Sequence, residues 1–171
     1  MVVCTRRRWR GKVPEQTPRI GEKKGSKRHL LVDGRGVPLS IVVTGANRHD
    51  VSQLAAVLGG RIVEPVVDEE EEDEVGEHLC ADAAYAGDAP KRIMIAAGYA
   101  PHVRPRGKEK QEKAMNPAFK ARRWVVEACH SWFNRFRKLV IRYEKLDATY
   151  IALHHLAATI IALRKVGTIY G

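Results

Sequence analysis

His29-Leu30-Leu31-Val32-Asp33-Gly34-Arg35-Gly36-Val37-Pro38-Leu39-Ser40-Ile41-Val42-Val43-Thr44 sets two apolar runs on either side of an Asp-Gly turn signal. Leu, Val and Ile dominate both runs, and Asp-Gly readily adopts the backbone of a tight turn, so the stretch predicts a β-hairpin. Asp33, next to Gly34, reads as a turn residue. Downstream, Asn47 or Asp50 can cap a short helix with Val51, Leu54, Ala55 and Leu58 on one face. Gly59-Gly60 ends it.

Further along, His78-Leu79-Cys80-Ala81 reads as a short buried strand that ends at Asp82. Asp88 as cap and Pro90 as opener predict a helix that Gly98 stops, with a strand near Tyr99–Val103 behind it. Residues 104–117 are basic and punctuated by Pro and Gly, as in a loop. Residues 118–137 predict the clearest helix. Asp147 caps a last one, with a stripe of Leu153, Leu156, Ile160 and Leu163. Strands alternating with helices define an α/β chain. Upstream of the hairpin, residues 1–28 lack periodicity beyond the first few positions and read as an extended basic segment.

With 171 residues, 44% of them apolar, the chain can build one compact core. Its net charge of +10 calls for a polyanionic partner. The positive charge lies in stripes: ten Lys/Arg against two Glu in 1–28, eight against two in 104–123, and five against one in 135–145. Asp68–Glu77 holds eight acids and no base, which predicts a solvated, disordered insert without the spacing of a calcium loop. Cys4, Cys80 and Cys129 are far apart, which argues against a disulfide framework or a zinc knuckle and fits a reducing compartment. No apolar run approaches the ~20 residues of a membrane span, and no signal peptide is evident, so a soluble, intracellular chain is expected.

Two acids stand out by position. Asp82 follows a buried strand, and strand ends in α/β sheets are where ligand-binding groups project. Glu127 lies in Arg123-Trp124-Val125-Val126-Glu127-Ala128-Cys129-His130-Ser131-Trp132-Phe133-Asn134-Arg135-Phe136-Arg137. At ~100° per residue, Arg123, His130, Ser131 and Asn134 cluster within about 60° of Glu127. Val125, Cys129, Trp132 and Phe136 point the other way and should be buried. An Asp after a strand is also an ordinary turn cap, and a Glu between Arg and His an ordinary solvated ion pair, so pattern alone leaves both readings open.

Several segments closely resemble the DDE transposases of bacterial insertion sequences. They are Lys27–Leu39, Thr44-Gly45-Ala46-Asn47-Arg48-His49-Asp50, Cys80-Ala81-Asp82 with Tyr85, Arg122–Arg137, and Ile141-Arg142-Tyr143-Glu144-Lys145. The resemblance runs from about residue 11 to 165. It implies an RNase H-like mixed sheet flanked by helices, here missing its first strand. A basic linker (1–28) would then precede a truncated catalytic domain (29–166). In such transposases two Asp and one Glu bind two Mg²⁺ ions ~3.5–4 Å apart, with Mn²⁺ as a substitute, for metal-dependent cleavage and strand transfer. Asp82 matches the second acid and Glu127 the third. Met1-Val2-Val3 looks like the rest of the opening strand, and the first acid is expected a few residues before Met1, which would leave this chain inactive alone.

The family signature Tyr-x-x-Arg-x-x-x-Glu-x₆-Lys is kept at Arg123 and Glu127, but Lys120 replaces its Tyr and Asn134 its Lys. Expected DNA contacts are Arg104, Arg106, Lys108, Lys110, Lys113, Arg122, Arg123, His130, Asn134 and Arg135. The implied partners are double-stranded transposon ends and target DNA, a second copy of the chain, and an upstream reading-frame product that carries the first Asp. The setting would be a bacterial cytoplasm, at the nucleoid, with no membrane. The alternatives are a non-catalytic nucleic-acid-binding protein and an RNase H-like nuclease.

Overall fold

A computed structural model describes residues 2–5, 25–62, 77–103 and 123–170, with the backbone alone for 2–5, 123 and 168–170. The predicted hairpin forms as strands β2 (Ser26–Val32) and β3 (Pro38–Gly45), antiparallel, with Leu30 opposite Ile41. Asp33 Oδ1 accepts from the amides of Arg35 and Val37 at 2.8 and 2.7 Å, so the carboxylate organises the turn as the Asp-Gly signal implied.

Strand β1 (Val2–Thr5) pairs antiparallel with β2 and parallel with β4 (His78–Ala81), and β4 pairs parallel with β5 (Ala100–Val103). The sheet order is β3-β2-β1-β4-β5, a mixed sheet with β1 at its centre. The expectation of an extended linker behind a missing first strand is therefore corrected at both ends. Val2–Thr5 is the central strand, and Ser26–Arg28 opens β2. Four residues are too few to show a period, so β1 was legible only through the resemblance, which marked Met1–Val3 as the rest of an opening strand. Residues 6–24 lie outside the described set, as do the acidic residues 68–76 and the loop 104–117.

Strand alternation feeds two cores, one on each face. On one side Leu31, Leu79 and Ala81 pack with α1 (Leu54–Gly59) and α2 (Asp88–Ala96) through Leu54, Val57, Leu58 and Met94. On the other, Leu30 and Val32 pack with α3 (Arg123–Phe133), α4 (Arg137–Val140) and α5 (Asp147–Tyr170) through Val126, Cys129, Phe133, Leu139 and Ile161. No helix among the described residues is long and apolar enough to cross a membrane.

Tertiary contacts shift several local expectations. Asp50 has helical backbone angles and caps nothing; its carboxylate turns to Lys27 Nζ at 2.8 Å, and a 3₁₀ turn (Val51–Gln53) leads into α1. Ala55 is exposed and Val57 takes its place in the core. Gly87, rather than Asp88, caps α2, and Asp88 enters the first turn, where a carboxylate still favours the helix dipole. Gly98 ends α2 at φ +81°, as its position implied. The helix expected over 118–137 stops at Phe133, with 118–122 outside the described residues. Phe136 becomes extended, and the turn drops Leu139 into the core, where its carbonyl accepts from Tyr150 Oη at 3.2 Å.

The buried stripe of α5 is Tyr150, His154, Ala157 and Ile161, while Leu156 and Leu163 are 58% and 70% exposed. The expected stripe is thus rotated by about one residue, ~100°. The cause is visible at the start of the helix. Arg142 reaches Asp147 and the Glu144 carbonyl, stacks 5.0 Å over the Tyr150 ring, and so fixes that ring inward.

Candidate active site

Asp82 stands one residue past β4, at the C-terminal edge of the three parallel strands. Its extended backbone (φ −68°, ψ 159°) continues the alternation in which Leu79 and Ala81 face α1 and α2, while Cys80 faces the α3–α5 core. By that alternation Asp82 belongs to the side of the sheet that α3 covers. Asp82 Oδ1 accepts from Ala83 N at 2.6 Å and caps the 3₁₀ turn Ala83–Tyr85, whose Tyr85 is fully buried. The turn-cap reading therefore holds for one carboxylate oxygen, and it fixes the side chain at the strand end.

Glu127 sits on the exposed face of α3, a helix that packs against β1 and β2. Val125, Val126, Cys129 and Phe133 are buried, with Trp132 and Phe136 packed beside them, so the apolar side was read correctly. Ser131 Oγ donates to the Glu127 carbonyl at 3.0 Å, leaving the carboxylate out of that bond. Asn134 is half-buried and Arg135 exposed. His130 is a correction: it is 4% exposed, within the stripe Val126–Cys129–His130–Phe133, and cannot present its ring to DNA. The wheel placed it at the edge of the polar face, and the apolar arc proved wide enough to cover it. Of Arg123 only the backbone is described. Arg104, Arg106, Lys108, Lys110, Lys113, Lys120 and Arg122 lie outside the described residues.

The quoted motifs Lys27-Arg28-His29 and Thr44…Asp50 prove to be each other's partners, which spacing could not reveal. Lys27 Nζ binds Asp50 and the Arg48 carbonyl, both at 2.8 Å, and His29 Nε2 meets Thr44 Oγ1 at 2.8 Å. Arg28 is a half-buried cation 4.9 Å over the Phe133 ring, its pKa lowered by loss of solvent. Burial pushes the Cys129 thiol up to about 12, which excludes it as a nucleophile near neutral pH. It pushes His154 down to about 4, so that imidazole is neutral. These groups pack beneath the half-buried Asp82 and the exposed Glu127.

Asp82 and Glu127 offer hard carboxylate oxygens, the donors that Mg²⁺ prefers. No cluster of three His, Cys, Asp or Glu with metal-holding geometry occurs among the described residues, so the two acids would form only part of a ligand set. Strand register bears on the rest. Val2 is level with Cys80 and Val3 with Ala81, so continuing the pairing puts Cys4 level with Asp82. At ~3.3 Å per residue, an aspartate a few positions before Met1 on a straight strand would lie about 15 Å from that level, too far for two ions ~4 Å apart to bridge. A first acid upstream of Met1 would reach that level only if β1 sat further along β4 than in this pairing.

The described geometry is that of a mixed α/β domain with one acid at a strand end and another on a flanking helix. A family model described as "Transposase DDE domain" matches residues 79–164, a span that includes both. A curated relative from Burkholderia cepacia, "Putative transposase for insertion sequence element IS402", is 30% identical over 149 residues. The match covers 81% of this chain and 63% of the relative, so the chain spans less than two thirds of that protein's length. No solved structure matches. The chain belongs to the transposase DDE-domain family.

Proposed function

We propose that the chain is the greater part of the catalytic domain of an insertion-sequence DNA transposase, with Asp82 and Glu127 as two of its three metal-binding acids. The observation that carries this is the position of Asp82. It ends β4 inside the matched family segment, on the side of the sheet where α3 presents Glu127. Sheet order adds support: β1 is followed by two antiparallel strands and then a helix, the order the RNase H-like reading implies. Bound Mg²⁺ would supply charge stabilisation and an activated oxygen nucleophile. Asp82 and Glu127 would hold it, their carboxylates within about 5–8 Å of each other.

The same edge is built for a polyanion. Thr5 leads into Arg6-Arg7-Arg8, β2 enters through Lys27 and Arg28, and Val103, level with Ala81, leads into Arg104. Three basic segments therefore meet the sheet where Asp82 ends its strand. Lys27 and Arg28 are already engaged with Asp50 and the Phe133 ring, so the runs that follow Thr5 and Val103 would be the ones to neutralise phosphates, without reading sequence.

The test compares this 171-residue chain with a version extended upstream through its own reading frame. A duplex bearing the element's terminal repeat is incubated with each in Mg²⁺. The short chain is expected to bind without cutting, and the extended one to cut and join. Asp82→Asn and Glu127→Gln in the extended version should abolish cutting at unchanged DNA affinity. Cutting that survives both substitutions would remove the reading.

A further inference from the structure

On the far side of α3 from Glu127, Trp132, Phe136 and Ile161 line a cleft of about 190 Å³ whose other lining residues are Arg135, Arg164 and Lys165. The cleft lies between the end of α3 and the second half of α5, and Ile161, 4% exposed, forms its floor. Lys165 Nζ stands 4.1 Å over the Trp132 ring, and the tip of that indole lies against Gly36 of the hairpin turn. The described lining holds three cations and no acid.

We propose that this cleft takes a single unpaired nucleotide of DNA, its base against Trp132, Phe136 and Ile161 and its phosphates at Arg135, Arg164 and Lys165. The inference rests on the DNA-transposase reading and adds to it a single-strand site separate from the two acids. Volume selects the ligand: drug-sized pockets run to ~300–1,000 Å³, and this one holds one ring system. Composition selects it too. Phe136 and Ile161 offer an apolar surface to any base, and Lys165, swinging from the Trp132 face to a phosphate, would open that indole to the base while Arg135 and Arg164 complete the cationic rim. An acidic peptide would use the rim and leave the aromatic wall idle. Duplex DNA keeps its bases stacked inward and cannot reach the floor.

The full chain carrying Trp9→Phe and Trp124→Phe leaves Trp132 as its single indole, and its fluorescence is titrated with an eight-nucleotide oligothymidylate. Quenching is expected, with affinity about tenfold weaker in Arg164→Glu and in Arg135→Ala, since each removes a charge-assisted contact at the rim. An oligomer with abasic sites throughout should bind weakly and leave the indole unquenched. Equal quenching by the abasic strand would reduce the cleft to a phosphate site and overturn the nucleotide proposal. So would retained affinity in both rim variants. Duplex binding by filter retention is run alongside. If duplex binds while oligothymidylate fails to quench, the cleft proposal falls and the transposase reading stands. If neither binds, both fall.

Discussion

Gly36 carries more of the fold than its size suggests. It sits at φ +89°, and a Cβ there would come within 2.9 Å of the Trp132 ring. Gly36→Ala therefore meets backbone strain and a steric clash together, and should cost about 1–3 kcal/mol in urea unfolding. Asp33→Ala removes an acceptor for two amides and should cost about 1–2 kcal/mol, while leaving cleavage by the upstream-extended protein intact. Loss of cleavage at normal stability would return Asp33 to the metal site. Asp33 was legible as a turn residue from Asp-Gly, whereas the left-handed position falls on Gly36 rather than on Gly34 beside Asp33. The contact of Gly36 with Trp132, nearly a hundred positions away, was not legible, because turn chemistry is local and the packing over it is not.

At the scale of elements, α5 shows where pattern reading stops. Leu153, Leu156, Ile160 and Leu163 form a regular stripe, yet the helix buries Tyr150, His154, Ala157 and Ile161. Hydrophobicity alone favours the leucines; a histidine enters the core because its Nδ1 pairs with the Tyr150 carbonyl at 2.8 Å and its ring meets the Tyr150 ring edge-to-face. That choice has a pH signature. Burial holds His154 near 4, below the 6.5 of an unfolded chain, so the unfolded state takes up the proton first. Stability is complete above about pH 6.5 and falls as pH drops toward 4, with about 2 kcal/mol lost by pH 5. His29, also lowered by burial, adds in the same direction. Urea midpoints between pH 7 and 5 should show the fall, and His154→Leu should flatten it; an undiminished slope in that variant would place the protons elsewhere.

Strand β1 is a second case at this scale. Its existence was hinted at by Val2-Val3, but its register on β4 was not readable, since a four-residue parallel pairing has no turn to fix it. A slide by an even number of residues keeps every side chain on its own face, whereas an odd slide inverts them. Cleavage by the extended chain that depends on an upstream aspartate would therefore require an even slide of β1 toward its C-terminus. Radical cleavage by Fe²⁺ in the metal site, with ascorbate, should then cut the backbone near both Asp82 and Glu127. Cuts at one of them alone would separate the two acids.

Over the whole molecule, charge is sorted by sheet edge. Arg6, Lys27 and Arg104 follow or open strands at the edge where Asp82 stands, whereas the acidic run joins the sheet through Glu77, just before β4, at the other end. Glu77 differs from the acids before it, because it pairs with Arg61, which also donates to Tyr99 Oη at 2.9 Å. This sorting separates two kinds of charge by what they do. Deleting residues 68–74 should leave folding and DNA affinity unchanged, while Glu77→Ala should lower stability, since Arg61 is only 12% exposed and would lose its anion. The basic run behaves oppositely. Each phosphate neutralised contributes about −0.9 to the slope of log affinity against log salt, so replacing Arg104, Arg106, Lys108, Lys110 and Lys113 with Ala should flatten that slope by up to about 4.5. The loss should be uniform across duplex sequences, because phosphate contacts carry no base information. Melting temperature should hold, since the replaced residues follow β5 and contribute nothing to either described core. A salt slope unchanged at normal stability would detach the run from DNA and leave Arg6–Arg8 as the cationic run beside the Asp82 edge.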